Sequence, residues 1–148
     1  MEEIRLKPIG IIHTPYKTPK DCPKQGFMSH GVSASIELLP EFKEGLLDLD
    51  GFSHIVLIWV FSKSEKGHEL FSTPPGENRP YGVFATRSPF RPNPIGLTTV
   101  RLISMENNIL YIENPDMVDG TPLLDIKPYV LRPETLGEIR RGWLDKRK

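Results

Sequence analysis

Proline is spread through this chain so densely that long helices are closed to it. Pro accounts for 15 of the 148 residues, about twice the ~5% of average usage. Each proline removes a backbone donor and crowds the preceding helical turn. Short strands and loops are what remain. Ile9-Gly10-Ile11-Ile12-His13-Thr14 reads as a strand stopped by Pro15, and Ser33-Ala34-Ser35-Ile36-Glu37-Leu38 as a second stopped by Pro40. Between Glu41 and Leu49 the apolar Phe42, Leu46, Leu47 and Leu49 suit one or two helical turns, closed by Asp50-Gly51. Phe52 to Phe61 is β-branched and aromatic without polar alternation after His54, which predicts a strand covered on both faces.

Residues 62–80 carry Ser, Gly, Asn and three prolines and read as a long loop, a length usually tied to function. Tyr81 to Thr86 reads as a strand, and Pro89, Pro92 and Pro94 forbid a helix after it. Leu97 to Met105 and Ile109 to Ile112 flank Glu106-Asn107-Asn108, a hairpin turn because Asn tolerates positive φ. Leu123 to Val130 gives another strand, which Pro128 assigns to an edge or bend. From Pro133 the spacing of Leu136, Ile139, Trp143 and Leu144 is helical, with a basic end that suits the helix dipole. The prediction is a mainly β fold in one domain, 1–148: a small closed or nearly closed antiparallel β-barrel with short helices and a C-terminal helical tail.

Charge and composition exclude several functions. Lys and Arg total 19 against 19 Asp and Glu, so a generically basic nucleic-acid binder is excluded while a local basic face is not. The longest apolar run, Ile55 to Phe61, falls far short of the ~20 residues of a membrane helix. A start at Met1-Glu2-Glu3-Ile4-Arg5 without a signal core, and a single Cys22, fit a reducing cytoplasm. Phosphate-cradling and dinucleotide-binding glycine motifs are absent, Ser88 lacks a nucleophile frame, and His13, His30, His54 and His68 are too scattered for local metal-ligand spacing. No metal is therefore expected, and the site is one built from loops.

Two loops concentrate polar chemistry. No Asp or Glu occurs from Asn78 through Met105, where Arg79, Arg87, Arg91 and Arg101 stand. Arg87 and Arg91 bracket a proline-stiffened loop, which suits bidentate contact to phosphate or carboxylate. Solvated charges on a Pro-rich turn would read the same way. The other loop runs from Asp116 through Asp119-Gly120 to Asp125-Ile126-Lys127-Pro128-Tyr129, with more carboxylates than a turn requires, although Asp-Gly is ordinary turn chemistry. Trp59, Phe61 and Phe84 are assigned to the core in preference to base stacking.

Over these loops the chain resembles the TsaA-like, or TrmO, family of S-adenosylmethionine-dependent methyltransferases. The runs that carry the likeness are Gly82-Val83-Phe84-Ala85-Thr86-Arg87-Ser88-Pro89-Phe90-Arg91-Pro92-Asn93-Pro94-Ile95-Gly96 and Val118-Asp119-Gly120-Thr121-Pro122-Leu123-Leu124-Asp125-Ile126-Lys127-Pro128-Tyr129, supported by Ile9-Gly10-Ile11-Ile12, Pro15-Tyr16 and Phe52-Ser53-His54. The resemblance covers about residues 9 to 129, leaving 130–148 as a short tail. It implies a β-barrel methyltransferase that works as a homodimer, with the donor S-adenosylmethionine near the subunit interface. The implied reaction is methylation of N6 of threonylcarbamoyl-adenosine beside the tRNA anticodon.

Carried over by position, the resemblance implies a donor site drawn from Pro23, Lys24, Gln25, Ser62, Lys63, Arg87, Leu97, Glu113, Asn114, Pro115 and Asp116. Arg91, Lys127 and Asp119 are assigned to the RNA, and Asp125, Tyr129 and Lys127 to catalysis, with Asp125 or Tyr129 as acceptor of the departing proton. Three departures stand out. Lys24 replaces an Arg common in relatives, Ser62 stands where some place a His, and the chain stops at Lys148 where bacterial members continue. The motifs thus speak more directly for the donor than for the tRNA. A non-enzymatic RNA-binding barrel and a methyltransferase of small molecules remain the alternatives.

Overall fold

The computed structural model describes residues 1–23, 30–62, 68–132 and 136–146. Eight strands form in chain order: β1 Gly10–His13, β2 Ser33–Leu38, β3 His54–Val60, β4 Phe71–Ser72, β5 Tyr81–Gly82, β6 Ile95–Glu106, β7 Ile109–Glu113 and β8 Thr121–Pro128. Six of them close into a barrel in the order β1-β2-β7-β6-β3-β8, every pair antiparallel, while β4 and β5 make a separate two-stranded sheet. Closure satisfies the backbone groups that an open sheet would leave at its edges.

Strict alternation builds the core. Ile12, Ile36, Leu38, Ile55, Leu57, Trp59, Val100, Leu110, Ile112 and Leu123 point inward and are buried. The β6–β7 hairpin turns where expected, with Asn107 at φ 55°. Near Glu41 to Leu49 the helical turns are 3₁₀ segments, Pro40–Leu46 and Leu49–Gly51.

Four expectations change. β3 is not covered on both faces within this chain: Ile55, Leu57 and Trp59 are buried, whereas Val56, Ile58 and Val60 lie half-buried on the outer face. The expected strand from Tyr81 to Thr86 ends at Gly82, because Val83–Ala85 turns into a 3₁₀ segment held by Thr86, whose backbone N–H and hydroxyl both donate to the Val83 carbonyl at 3.1 and 2.8 Å. Pro128 marks no edge. β8 pairs with β1 and β3, and the proline occupies its last position, where a missing donor does least harm. In the tail Leu136 is helical, but the helix does not run on through Trp143 and Leu144: Gly137 has φ 61°, and Gly142–Lys146 is a separate 3₁₀ turn. Residues 133–135 of the expected helix lie outside the described residues.

Candidate active site

One end of the barrel opens into a cleft of about 910 Å³, within the range that encloses most of a cofactor-sized ligand. Its walls come from five segments: Thr18 to Pro23, the end of β3 through Phe61 and Ser62, the loop Thr86 to Arg91, the start of β6, and Asp116 to Val118 with Thr121. Each is locally braced. In the first, the Asp21 carboxylate accepts from the backbone N–H groups of Thr18 (3.0 Å) and Lys17 (3.2 Å) and from the Thr18 hydroxyl (3.1 Å). The Thr18 amide is the main reason this carboxyl lies below the usual aspartate value.

A buried polar relay forms the floor. Trp59 Nε1–H donates to Thr98 Oγ1 at 3.0 Å, and the Thr98 hydroxyl donates to Asp116 Oδ1. Thr98 is nearly fully buried, so both partners are needed to satisfy it. Trp59 lies directly over Gly96: a Cβ at that position would sit 2.4 Å from the indole. The adjacent Phe61 ring packs on Trp59 with centroids 4.3 Å apart. The cleft thus joins an apolar aromatic wall to a carboxylate fixed from beneath.

The loop carrying two arginines is stapled by one of them. Arg91 Nη1 donates to the carbonyls of Thr86 (2.9 Å) and Ser88 (3.1 Å), while Ser88 Oγ accepts from the Phe90 amide at 3.2 Å. Arg87 is exposed at the cleft wall, and among the described residues its guanidinium makes no hydrogen bond or ion pair.

Of the residues expected at the donor site, Pro23, Ser62, Arg87, Leu97 and Asp116 all line this cleft. Lys24, Gln25 and Lys63 lie outside the described residues. Glu113, Asn114 and Pro115 do not line it; they deliver Asp116 to it. Asn114, at φ 69°, donates through its amide to the Val32 carbonyl (2.9 Å) and accepts from the Gly31 amide through Oδ1 (2.9 Å), while Pro115 is fully buried.

The residues expected to serve acceptor and chemistry are distributed differently. Arg91 lines the cleft with one nitrogen committed to the loop. Asp119 is a clasp: it accepts from the Thr14 amide (3.0 Å) and Lys17 Nζ (3.1 Å), and its carboxyl is held below the usual aspartate value chiefly by that Lys17 bond. Asp125, Lys127 and Tyr129 are not in this chain's own cleft. β8 leaves it at Thr121, and four residues at ~3.3 Å each carry Asp125 roughly 13 Å along the barrel. There Asp125 and Lys127 form a 2.9 Å ion pair on the outer face, opposite Ile58 and Val56. Tyr129 lies beyond them, edge-on to His54 with ring centroids 6.4 Å apart.

Sequence reasoning missed Thr98 and Thr18. A lone hydroxyl among the inward positions Gly96, Thr98, Val100 and Leu102 was the available signal for the first, and Thr18-x-x-Asp21 for the second. Phe84 was assigned to the core and is 76% exposed. Among the described residues no group of three or more His, Cys, Asp or Glu could hold a metal, and no helix is long and apolar enough to cross a membrane.

Comparison with known proteins bears on what such a cleft does. Residues 11–134 match the family model described as the tRNA-methyltransferase O N-terminal domain. A probable S-adenosyl-L-methionine-binding protein of Pyrococcus abyssi is 50% identical over 144 residues, 97% of this chain and 77% of that protein. The tRNA (adenine(37)-N6)-methyltransferase of Escherichia coli is 37% identical over 152 residues, 97% of this chain and 65% of the relative. The crystal structure of TrmO from Pseudomonas aeruginosa superposes with a TM-score of 0.80 at 34% identity, covering 95% of this chain and 62% of the solved one.

Proposed function

The chain belongs to the tRNA-methyltransferase O N-terminal domain family, and from that premise we propose that it is an S-adenosylmethionine-dependent methyltransferase acting on N6 of threonylcarbamoyl-adenosine beside the tRNA anticodon. The observation that carries the reading is the cleft itself. Its residues fit the donor: an aromatic and apolar wall at Trp59 and Phe61, a braced carboxylate at Asp116 for the adenosine, and an Arg87 guanidinium with no competing partner among the described residues. The donor, when bound, supplies a methyl group on a positive sulfur, transferable by in-line displacement. The chain's part is to orient and to exclude water, and loops stiffened by Pro89, Pro92 and Pro94 do both with little entropy left to lose.

The proposal includes a second copy of the chain. Val56, Ile58, Val60, Ile95 and Leu97 form an apolar outer face across β3 and β6, and Leu97 is also part of the cleft rim. A two-fold contact on this face sets the donor cleft at the interface. It also gives Asp125, Lys127 and Tyr129 a role, because they lie on the same outer face rather than in their own chain's cleft. In this arrangement Asp125 or Tyr129 takes up the proton from the methylated nitrogen, while Lys127 and Arg91 meet RNA phosphate or the threonyl carboxylate. Incubation with labelled donor and total tRNA, followed by identification of the labelled nucleoside, tests the reaction. Label in threonylcarbamoyl-adenosine is the expected result. Label confined to a small molecule, or to another nucleoside, would overturn it.

A further inference from the structure

Beside the cleft, Phe84 and Phe71 present two rings to solvent at 76% and 65% exposure. Neither is a floppy surface residue. The Val83 amide donates to the Leu70 carbonyl at 2.9 Å, Val83 is buried, and Phe71 pairs with Gly82, so the Val83–Ala85 turn is pinned against β4. On the other side the Trp143 indole N–H donates to the Ala85 carbonyl at 2.8 Å and its ring stacks on Tyr81 with centroids 4.9 Å apart. The turn thus holds the Phe84 backbone rigid and turns its ring outward, three residues before Arg87 at the cleft wall.

Charges of both signs surround the turn. Arg79 lies 3.9 Å above the Tyr81 ring, and the docking of Trp143 brings the Arg140-Arg141 stretch alongside. Of the nearby carboxylates, Glu77 accepts from the Tyr81 hydroxyl (2.9 Å), Asp145 pairs with Arg141 (3.0 Å), and Glu69 stands exposed two residues before Phe71. Rigid exposed rings, with Phe84 three residues from the Arg87 guanidinium, match the flat faces of unpaired bases and the phosphates that link them.

We infer that Phe84, with Phe71 beside it, is a stacking platform for unpaired bases of the RNA acceptor, placed to steer the target nucleotide into the cleft behind Arg87. The inference rests on the tRNA reading above and adds the residues that recognise an unpaired loop. Stacking is indifferent to base identity, so this surface selects single-stranded character and leaves the choice of nucleoside to the cleft.

The test is binding of a fluorescently labelled anticodon stem–loop and of a blunt RNA duplex of equal length to wild type, Phe84→Ala, Phe84→Leu and Phe84→Trp. S-adenosylmethionine thermal shifts on each variant serve as the folding control. Wild type should prefer the stem–loop. Ala and Leu should each weaken it by about fivefold or more, the loss of one stacked base, while Trp retains it and all keep the donor shift. Stem–loop binding unchanged in Phe84→Ala would overturn the inference, and so would full rescue by Leu, which keeps apolar bulk without a π-face. A changed solution mass in Phe84→Ala with RNA binding intact would assign the patch to protein contact and overturn it as well. If wild type binds neither RNA yet is stabilised by the donor, the tRNA reading falls together with this one.

Discussion

Arg87 and Arg91 sit four positions apart in the same basic loop, and the hydrogen bonds give them different work. Arg87 faces the cleft without a bond among the described residues, whereas Arg91 holds the carbonyls of Thr86 and Ser88. Arg87→Ala should therefore weaken donor binding by about 1.5–3 kcal/mol, the usual scale for a lost charge-assisted contact. Arg91→Ala should also weaken it, because the wall around Arg87 loosens, and Arg91→Lys should restore it only in part, since the lysine ammonium ends one bond short of the Nη1 that holds both carbonyls. Isothermal titration of the variants with S-adenosylmethionine checks both; unchanged affinity in Arg91→Ala would free that residue for the RNA alone. Asp119 offers a test by pH. Its folded-state pKa is lowered, so its contribution to stability is fully present above the unfolded value of about 3.9 and is lost as pH falls through the lowered folded value. Asp119→Asn should be less stable than wild type near neutrality, and the gap in urea midpoints should close in acid. A gap that widens in acid would contradict the Lys17 clasp.

At the level of elements, the start of β6 couples the core to the cleft. Gly96 has no room for a side chain beneath Trp59, and Trp59 donates to the threonine that holds Asp116. Gly96→Ala should cost about 1–3 kcal/mol by overpacking and should also lower donor affinity. A variant that lost stability while binding the donor normally would show that the relay is not coupled to the site. The same elements show what the sequence could and could not disclose. β1, β2, β6 and β7 were legible because alternating residues and proline or asparagine punctuation are local signals. β3 was misread as doubly covered because its outer face is apolar, and a single chain does not reveal what such a face meets. Strand β5 was overextended because nothing local announces the Val83–Ala85 turn, which depends on a contact with Leu70 twelve residues upstream in the chain from Gly82. Within the site, five of the residues expected there by motif, Pro23, Ser62, Arg87, Leu97 and Asp116, gather at one cleft, whereas Glu113, Asn114 and Pro115 stand behind it. Asp125, Lys127 and Tyr129 follow Asp119 closely in sequence, but a strand separates its ends at ~3.3 Å per residue, so nearness along the chain put them at a distance in space.

For the whole molecule, ligand binding and association should report on each other. A donor that binds only the folded state adds RT ln(1 + [L]/Kd), roughly 2.7 kcal/mol at a hundredfold excess over Kd. For a chain of this size that is about 5–11 °C in midpoint temperature at ~2–4 °C per kcal/mol. S-adenosylmethionine should produce such a shift in differential scanning fluorimetry, it should persist with a chelator present, and ATP should not reproduce it. A shift no greater than that from ATP would remove the donor from the cleft. If the outer face of β3 and β6 is where two copies meet, the donor shift should also depend on protein concentration, because Leu97 belongs both to that face and to the cleft rim. Val56→Glu with Ile58→Lys places charges on that face without touching the barrel interior, and so should leave the isolated barrel folded. The double variant should scatter light as a single 16.8 kDa chain and lose most of the donor-induced shift. A wild type that already scatters as one chain at micromolar concentration, yet shows the full shift, would place the whole donor site within a single barrel and leave Asp125, Lys127 and Tyr129 without a part in it.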